Sequence, residues 1–208
     1  MMKFFSVDSS LYRFLSRFWD VIKLNFFWIL FSLPIVSMGA STAAAMSVAL
    51  KMADDEEGYI GKDFIKAFKE NWKQGTLLGI ITIIAFYAVY LDFELMRASE
   101  DGSALLLIIG IVSAFVVVMA LSYSFPLIAR YENTLPRSIQ NSLHISRRFF
   151  GRTLLMLVVI LIEFLVLQFN EIMLFFAIVI GPGLIIFTIA AFSKRIFVML
   201  EKEMETES

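Results

Sequence analysis

Apolar residues run along this chain in blocks of roughly 20, separated by short polar connectors, as in helices that cross a hydrocarbon layer ~30 Å thick. At the start, Leu11, Phe14, Leu15, Phe18, Trp19 and Ile22 fall at helical spacing, with Arg13, Arg17 and Asp20 opposite them. This predicts an amphipathic helix that continues into the apolar 24–31 block and, from Leu11 to Leu33, reaches roughly 34 Å, enough to span. Pro34 has no backbone donor and Gly39 weakens a helix, so the chain is expected to turn across 33–39. A second helix then starts near Ser41. Its Gly39, Ala40, Ala43, Ala44 and Ser47 form a small-residue surface of the kind that lets membrane helices approach closely. It is expected at the centre of the bundle, with Phe27 of the preceding helix facing lipid.

Between Lys51 and Lys73, Ile60, Phe64, Phe68 and Trp72 recur every four residues, which predicts an amphipathic helix lying along the interface. Apolar blocks follow at 75–95, 104–129, 153–169 and 172–192. A short acidic turn at 97–102 joins the first two, and Gln168, Asn170 and Glu171 separate the last two. In the connector from Arg130 to Arg152, Thr134 holds an N-cap position before Pro136, and Ile139, Leu143 and Phe150 line one face of a second interfacial helix.

Composition confirms the class. The chain is 59% hydrophobic and 18% charged, with a mean hydropathy of +0.79, against about 45–50% apolar and about 25% charged in soluble domains. Absence of cysteine removes disulfides, thiolate nucleophiles and Cys metal sites. The net charge of −1 carries no information about partners, but the placement of Lys and Arg does. Four precede Leu24, five lie in 51–73, one near Arg97, five in 130–152, none around Asn170 and three after Phe192. Basic-rich segments stay cytoplasmic. Both flanks of 24–50 are rich, so that stretch must enter and leave on one side. The expectation is an all-α, polytopic membrane bundle of six segments in three helical hairpins, the first of them short enough to be re-entrant, with both termini cytoplasmic. As one domain over 1–208, it divides into a first hairpin at 11–52 with its amphipathic helix, a connector at 53–74, a second hairpin at 75–130, a connector at 131–152, a third hairpin at 153–200 and a tail at 201–208. A basic start and Ala43-Ala44-Ala45 superficially fit a cleavable signal peptide, but removal would put the lysine-rich connector outside, so the segment is read as retained.

Little in the chain suggests catalysis. It has one histidine, His144, and neither an HExxH pair nor a phosphate-binding loop, since Gly58-x-x-Gly61-Lys62 has the wrong spacing. No enzyme activity, cofactor or metal is expected. Glu163, between Leu161-Ile162 and Phe164-Leu165, is either a titrating or substrate-contacting group in a polar cavity or a side chain close enough to the outer surface to be hydrated. Asp92 and Glu94, near the external end of their helix, are read as solvated. Ser122, Tyr123 and Ser124 before Pro126 either open a kinked helix onto a polar pocket or join helix to helix. Lys66, Lys69, Lys73, Arg137, Arg147, Arg148 and Arg152 accompany aromatic anchors and suit anionic lipid headgroups or a protein partner, such as a transporter subunit or a second copy. Lysines interleaved with acids give no continuous positive track, so nucleic acid is not an expected partner. Each hairpin is introduced by an aromatic and basic segment. Such weak repeats are common in transporters, and aromatic belts in any bundle produce the same pattern.

Asn25-x-x-Trp28-x-x-x-x-x-Pro34-x-x-Ser37-x-Gly39, then Gly58-Tyr59, Phe64, Phe68-Lys69-x-Asn71-Trp72-x-Gln74-x-Thr76, resembles the YesL family of bacterial membrane proteins. Phe125-Pro126-Leu127-x-x-Arg130-Tyr131-x-Asn133-Thr134 is similar to that family's third segment, so the likeness covers nearly the whole chain. The family more often has Thr where Ser37 stands, which preserves the hydroxyl. The resemblance implies a multi-pass protein of the bacterial plasma membrane, often encoded near carbohydrate-uptake systems and without an established activity. The resulting expectation is a non-catalytic accessory or regulatory component of a solute uptake system, with carbohydrate as the solute; the alternative is a small transporter in its own right with a polar intramembrane site near Glu163.

Overall fold

The structure, a computed structural model, describes residues 10–56, 58–99 and 104–207. The side chains of Arg13 and Phe14, Glu57, and residues 100–102 of the acidic turn lie outside what is described. The elements are α1 (Ser10–Ser32), a 3-10 turn (Ile35–Ser37), α2 (Met38–Ala53), α3 (Ile60–Ala98), α4 (Ala104–Leu121), α5 (Ser124–Arg130), α6 (Leu135–Arg148), α7 (Phe150–Leu167) and α8 (Glu171–Glu207). There is no strand among the described residues. Among the described residues, five segments are long and apolar enough to cross a membrane: Ile35–Ala53, Ile60–Ala98, Ala104–Arg130, Phe150–Leu167 and Glu171–Thr206. α1 is not among them, because Arg17, Asp20 and Lys23 interrupt it.

The break expected at Pro34 is present and is tied by side chains. Ser37 Oγ donates to the carbonyls of Phe31 (2.7 Å) and Pro34 (2.8 Å), Ser41 Oγ donates to Trp28 O (2.9 Å), and Trp28 Nε1 donates to Thr42 Oγ1 (3.0 Å). α1 and α2 are thereby held side by side. α2 lies at the centre, touching α1, α3, α5 and α8, and Ala40, Ala43, Ala44, Ala45 and Ala49 on it are completely buried. Where it crosses α3 the backbones nearly touch: a Cβ on Gly39 would lie 2.2 Å from Gly75 O, and one on Gly79 would lie 2.7 Å from Gly39 Cα. Gly75-x-x-x-Gly79 therefore supplies the other half of a small-residue contact that membrane helices use in place of a hydrophobic driving force. α2 ends on Asp55 in the left-handed region (φ 57°), with Glu56 N–H bonded to Lys51 O (3.1 Å) and Asp55 N–H to Met52 O (3.3 Å), closing the helix as a glycine ordinarily does.

Several expectations change. The 60–73 segment is not a separate helix on the interface; α3 runs unbroken for 39 residues, about 58 Å, because nothing from Lys73 to Gly75 is strong enough to stop it. Its apolar face is taken by protein. Phe64 is fully buried, stacks on Phe27 (5.7 Å between ring centroids), and meets Phe31 (5.3 Å), while Phe68 meets Phe31 (4.8 Å). Phe27 is thus a packing residue and not lipid-facing. α8 likewise continues through the expected tail to Glu207. α6 buries Leu135, Ser138, Ser142, Ile145 and Ser146, and not the expected face of Ile139, Leu143 and Phe150, the last of which begins α7. Serine reads as polar in a sequence pattern, yet here Ser142 and Ser146 donate to Met119 O on α4 (3.3 and 2.8 Å). Thr134 sits at the α6 N-cap without a side-chain bond.

Candidate functional site

Pro182 lies inside α8 between Gly181 and Gly183, and a proline there removes one backbone donor and leaves the carbonyl four residues earlier unpaired. That carbonyl belongs to Ile178. Asn25, buried on α1, repairs the gap with its amide: Nδ2 donates to Ile178 O (2.9 Å) and Val179 O (2.8 Å), and Oδ1 accepts from Gly183 N–H (2.9 Å). Gly183 has to be small, because a Cβ there would come within 2.9 Å of Asn25 Cβ and Val21 O. The amide of one helix thus substitutes for the broken ladder of another.

Beside this break is a cleft of ≈ 470 Å³ that draws lining residues from all of the apolar helices, including Trp28, Met46, Phe86, Phe125, Met156 and Ile189. Its few hydroxyls are already bonded. Ser122 Oγ donates to Val118 O (2.7 Å) and Thr82 Oγ1 to Leu78 O (2.8 Å), and Thr42 is bonded as described above. The rest of the expected Ser122–Tyr123–Ser124 cluster joins helices. The chain breaks at Tyr123, whose N–H donates to Ser142 Oγ (2.9 Å) and whose buried hydroxyl pairs with Thr153 Oγ1 (3.0 Å); Ser124 Oγ donates to Ala120 O (2.7 Å). Pro126 falls in the first turn of α5, where no donor is missed. Of the two readings of this cluster, helix joining is the one the geometry supports.

Glu163 does find a partner in the bundle: Thr188 Oγ1 on α8 donates to Oε1 (2.6 Å), while Oε2 is buried with no partner among the described residues. Asp92 is not simply solvated, because Ser113 Oγ on α4 donates to it (2.5 Å); Glu94 pairs with Arg97 (2.9 Å).

At the other end of the bundle, charges absent from the expected site converge. Arg130 Nε and Nη2 straddle the Glu201 carboxylate (3.1 and 3.2 Å), and Nη1 reaches Asp54 (3.4 Å). Asp54 also takes Lys194 Nζ (3.0 Å), which in turn bonds Ala53 O at the end of α2. Tyr131 donates to Glu201 (2.5 Å). Burial, and then the neighbouring Glu201, push its phenol well above the ordinary value, so it stays protonated and donates. Two cations face two anions, all about a quarter to a third exposed, and they fasten α2, α5 and α8. Gln74 Nε2 adds a bond from α3 to Asn133 O (3.0 Å). Sequence reasoning placed Arg130 in a motif but missed its partners. They sit 71 and 76 residues away, and neither carries a spacing signal.

Of the basic residues read as lipid- or partner-facing, Lys66 pairs with Glu70 (4.0 Å), Arg148 with Glu203 (2.8 Å), and Arg152 contacts Met199 Sδ (3.2 Å). Lys69, Lys73, Arg137 and Arg147 make no ion pair among the described residues. Asn71 bonds within its own helix to Ala67 O (3.0 Å), and Trp72 closes the aromatic row against Phe68 (5.1 Å). No group of three or more His, Asp or Glu that could hold a metal is brought together among the described residues.

Helices of this length and hydropathy around a small-residue centre define an all-helical membrane protein. Residues 21–93, which run from α1 into α3, match a family model described as "Protein of unknown function, DUF624". The chain is 28% identical over 139 residues to "Uncharacterized protein YesL" of Bacillus subtilis (strain 168), and the match covers 64% of each chain. Over these residues the chain is similar to that family and to YesL, both without an assigned function. No solved structure matches the chain.

Proposed function

We propose that this protein is a non-catalytic accessory or regulatory component of a solute uptake system in the bacterial plasma membrane, serving carbohydrate. The observation that carries the reading is that the hydroxyls of Thr42, Thr82 and Ser122 around the cleft are bonded to the protein itself, and that the cleft's exposed lining is apolar. A hydrophilic solute needs hydrogen-bonding partners to replace water along its path, and this bundle offers it no track of them. Carbohydrate as the solute class rests on the family resemblance. α1 together with the five apolar segments makes six crossings in three hairpins with both termini cytoplasmic, the arrangement that basic-residue placement favours. Unpaired Lys69, Lys73, Arg137 and Arg147 suit anionic headgroups, and partners in the membrane are transporter subunits or a second copy. Affinity purification from native membranes in mild detergent tests this: permease subunits are expected to co-purify, and recovery of the chain alone would count against it.

A small transporter is the second reading, favoured by Glu163 with its unpartnered oxygen and by the Pro182 break in α8. Under that reading Glu163→Gln abolishes solute uptake while the protein still folds; under the accessory reading both persist.

A further inference from the structure

A cavity of ≈ 720 Å³ lies between α5–α6 and the extension of α8 that the sequence had suggested was a tail. Its floor is apolar, built from Leu127, Ile145 and Phe197, which are buried. Its rim is polar, and the charges there are already spent: Arg148 is paired with Glu203 (2.8 Å), and Tyr131 donates to Glu201 (2.5 Å). What remains on the rim are side chains with no intramolecular partner among the described residues, the amides of Asn133 and Asn141 and the imidazole of His144. An amide presents two donors beside an acceptor, and imidazole presents one of each. A concave apolar floor with a few convergent polar groups is the general form of a small-molecule site.

We infer that this cavity binds an uncharged, hydroxyl-rich small molecule of monosaccharide size, with its C–H face on the apolar floor and its hydroxyls on Asn133, Asn141 and His144. Charge decides the class. A phosphorylated or carboxylated ligand would have to break the Arg148–Glu203 pair or leave its own charge uncompensated beside Glu203, whereas a neutral polyol needs only the unspent groups. The ion pairs that flank the cavity are also the contacts that hold α8 against α5 and α6, so an occupant would bear directly on the position of α8. The inference goes beyond the uptake reading and stands without it, since either an accessory protein or a transporter would carry the same site.

The test uses the full chain in lipid nanodiscs with no partner present, titrated by saturation-transfer NMR with glucose, galactose, mannose and rhamnose, and with glucose 6-phosphate as the charged counterpart. At least one neutral sugar is expected to bind, with glucose 6-phosphate at least about tenfold weaker than its neutral parent or undetected. Asn141→Ala and His144→Ala, both at exposed positions that leave the helix intact, are each expected to weaken binding about tenfold while thermal unfolding stays unchanged. Failure of every neutral sugar to bind below about 10 mM, tighter binding of the phosphate, or binding untouched by both substitutions would overturn the inference. Because no uptake is measured, these outcomes are separate from the fate of the accessory reading.

Discussion

Asn25 shows how one side chain can decide the shape of a helix far from it in sequence. Its amide fills three backbone positions on α8, and Asn25→Ala would strand two carbonyls and one N–H in a buried place. We predict a loss of about 2–3 kcal/mol for Asn25→Ala in thermal unfolding, and at least as much for Asn25→Asp, which keeps the acceptor but turns a negative oxygen toward two carbonyls. The residue was legible as part of a motif, but its work was not, because its partners lie 153 to 158 residues away, beside a proline that sequence reading passed over. Glu163 was legible for the opposite reason: a carboxyl among leucines and isoleucines is costly enough to stand out. Its partner, Thr188, carries no such signal. Tyr131 makes an alkaline prediction. Because its pKa is raised in the folded state, the stability it contributes is full below the ordinary phenol value of 10.0 and is lost as pH rises from there through the folded-state value. Tyr131→Phe should remove that alkaline limb from an unfolding-versus-pH curve.

At the scale of elements, the crossing of α2 and α3 is the tightest contact. Gly75→Ala or Gly79→Ala puts a methyl group where backbone already lies, with an expected cost of about 1–3 kcal/mol. Gly151 is the control: a Cβ there meets nothing within 4 Å, so Gly151→Ala in α7 should be neutral or stabilise by up to about 1 kcal/mol, measured by the same melts. The small face of α2 was evident in the sequence because Gly39, Ala40, Ala43 and Ala44 cluster on it. The matching Gly75-x-x-x-Gly79 stands just as plainly in the sequence, but its pairing with α2 is a contact between distant stretches of chain that no local spacing encodes. α6 misled for a different reason. Its buried face mixes Leu135 and Ile145 with serines, of which Ser142 and Ser146 both donate to Met119 O near the end of α4 and so join the two helices, a role that hydropathy cannot register.

For the whole molecule, the ion cluster of Asp54, Arg130, Lys194 and Glu201 is where the ends of α2, α5 and α8 meet. Arg130→Gln removes the bidentate contact and leaves Glu201 and Asp54 partly buried with fewer partners. The expected result is a C-terminal half of α8 that exchanges amide hydrogens and is cleaved by protease faster than in the parent, while the α2–α3 crossing keeps its protection. The membrane class was plain from hydropathy alone. The number of crossings was not, because α1 carries Asp20 and Lys23 near its middle and composition alone does not qualify it as a span. The central claim is that this bundle spends the hydroxyls around its apolar cleft on holding itself together. Flux of radiolabelled neutral sugars into proteoliposomes containing only this chain tests that claim most directly. The account predicts uptake no faster than through protein-free liposomes; saturable uptake that disappears in Glu163→Gln would contradict it.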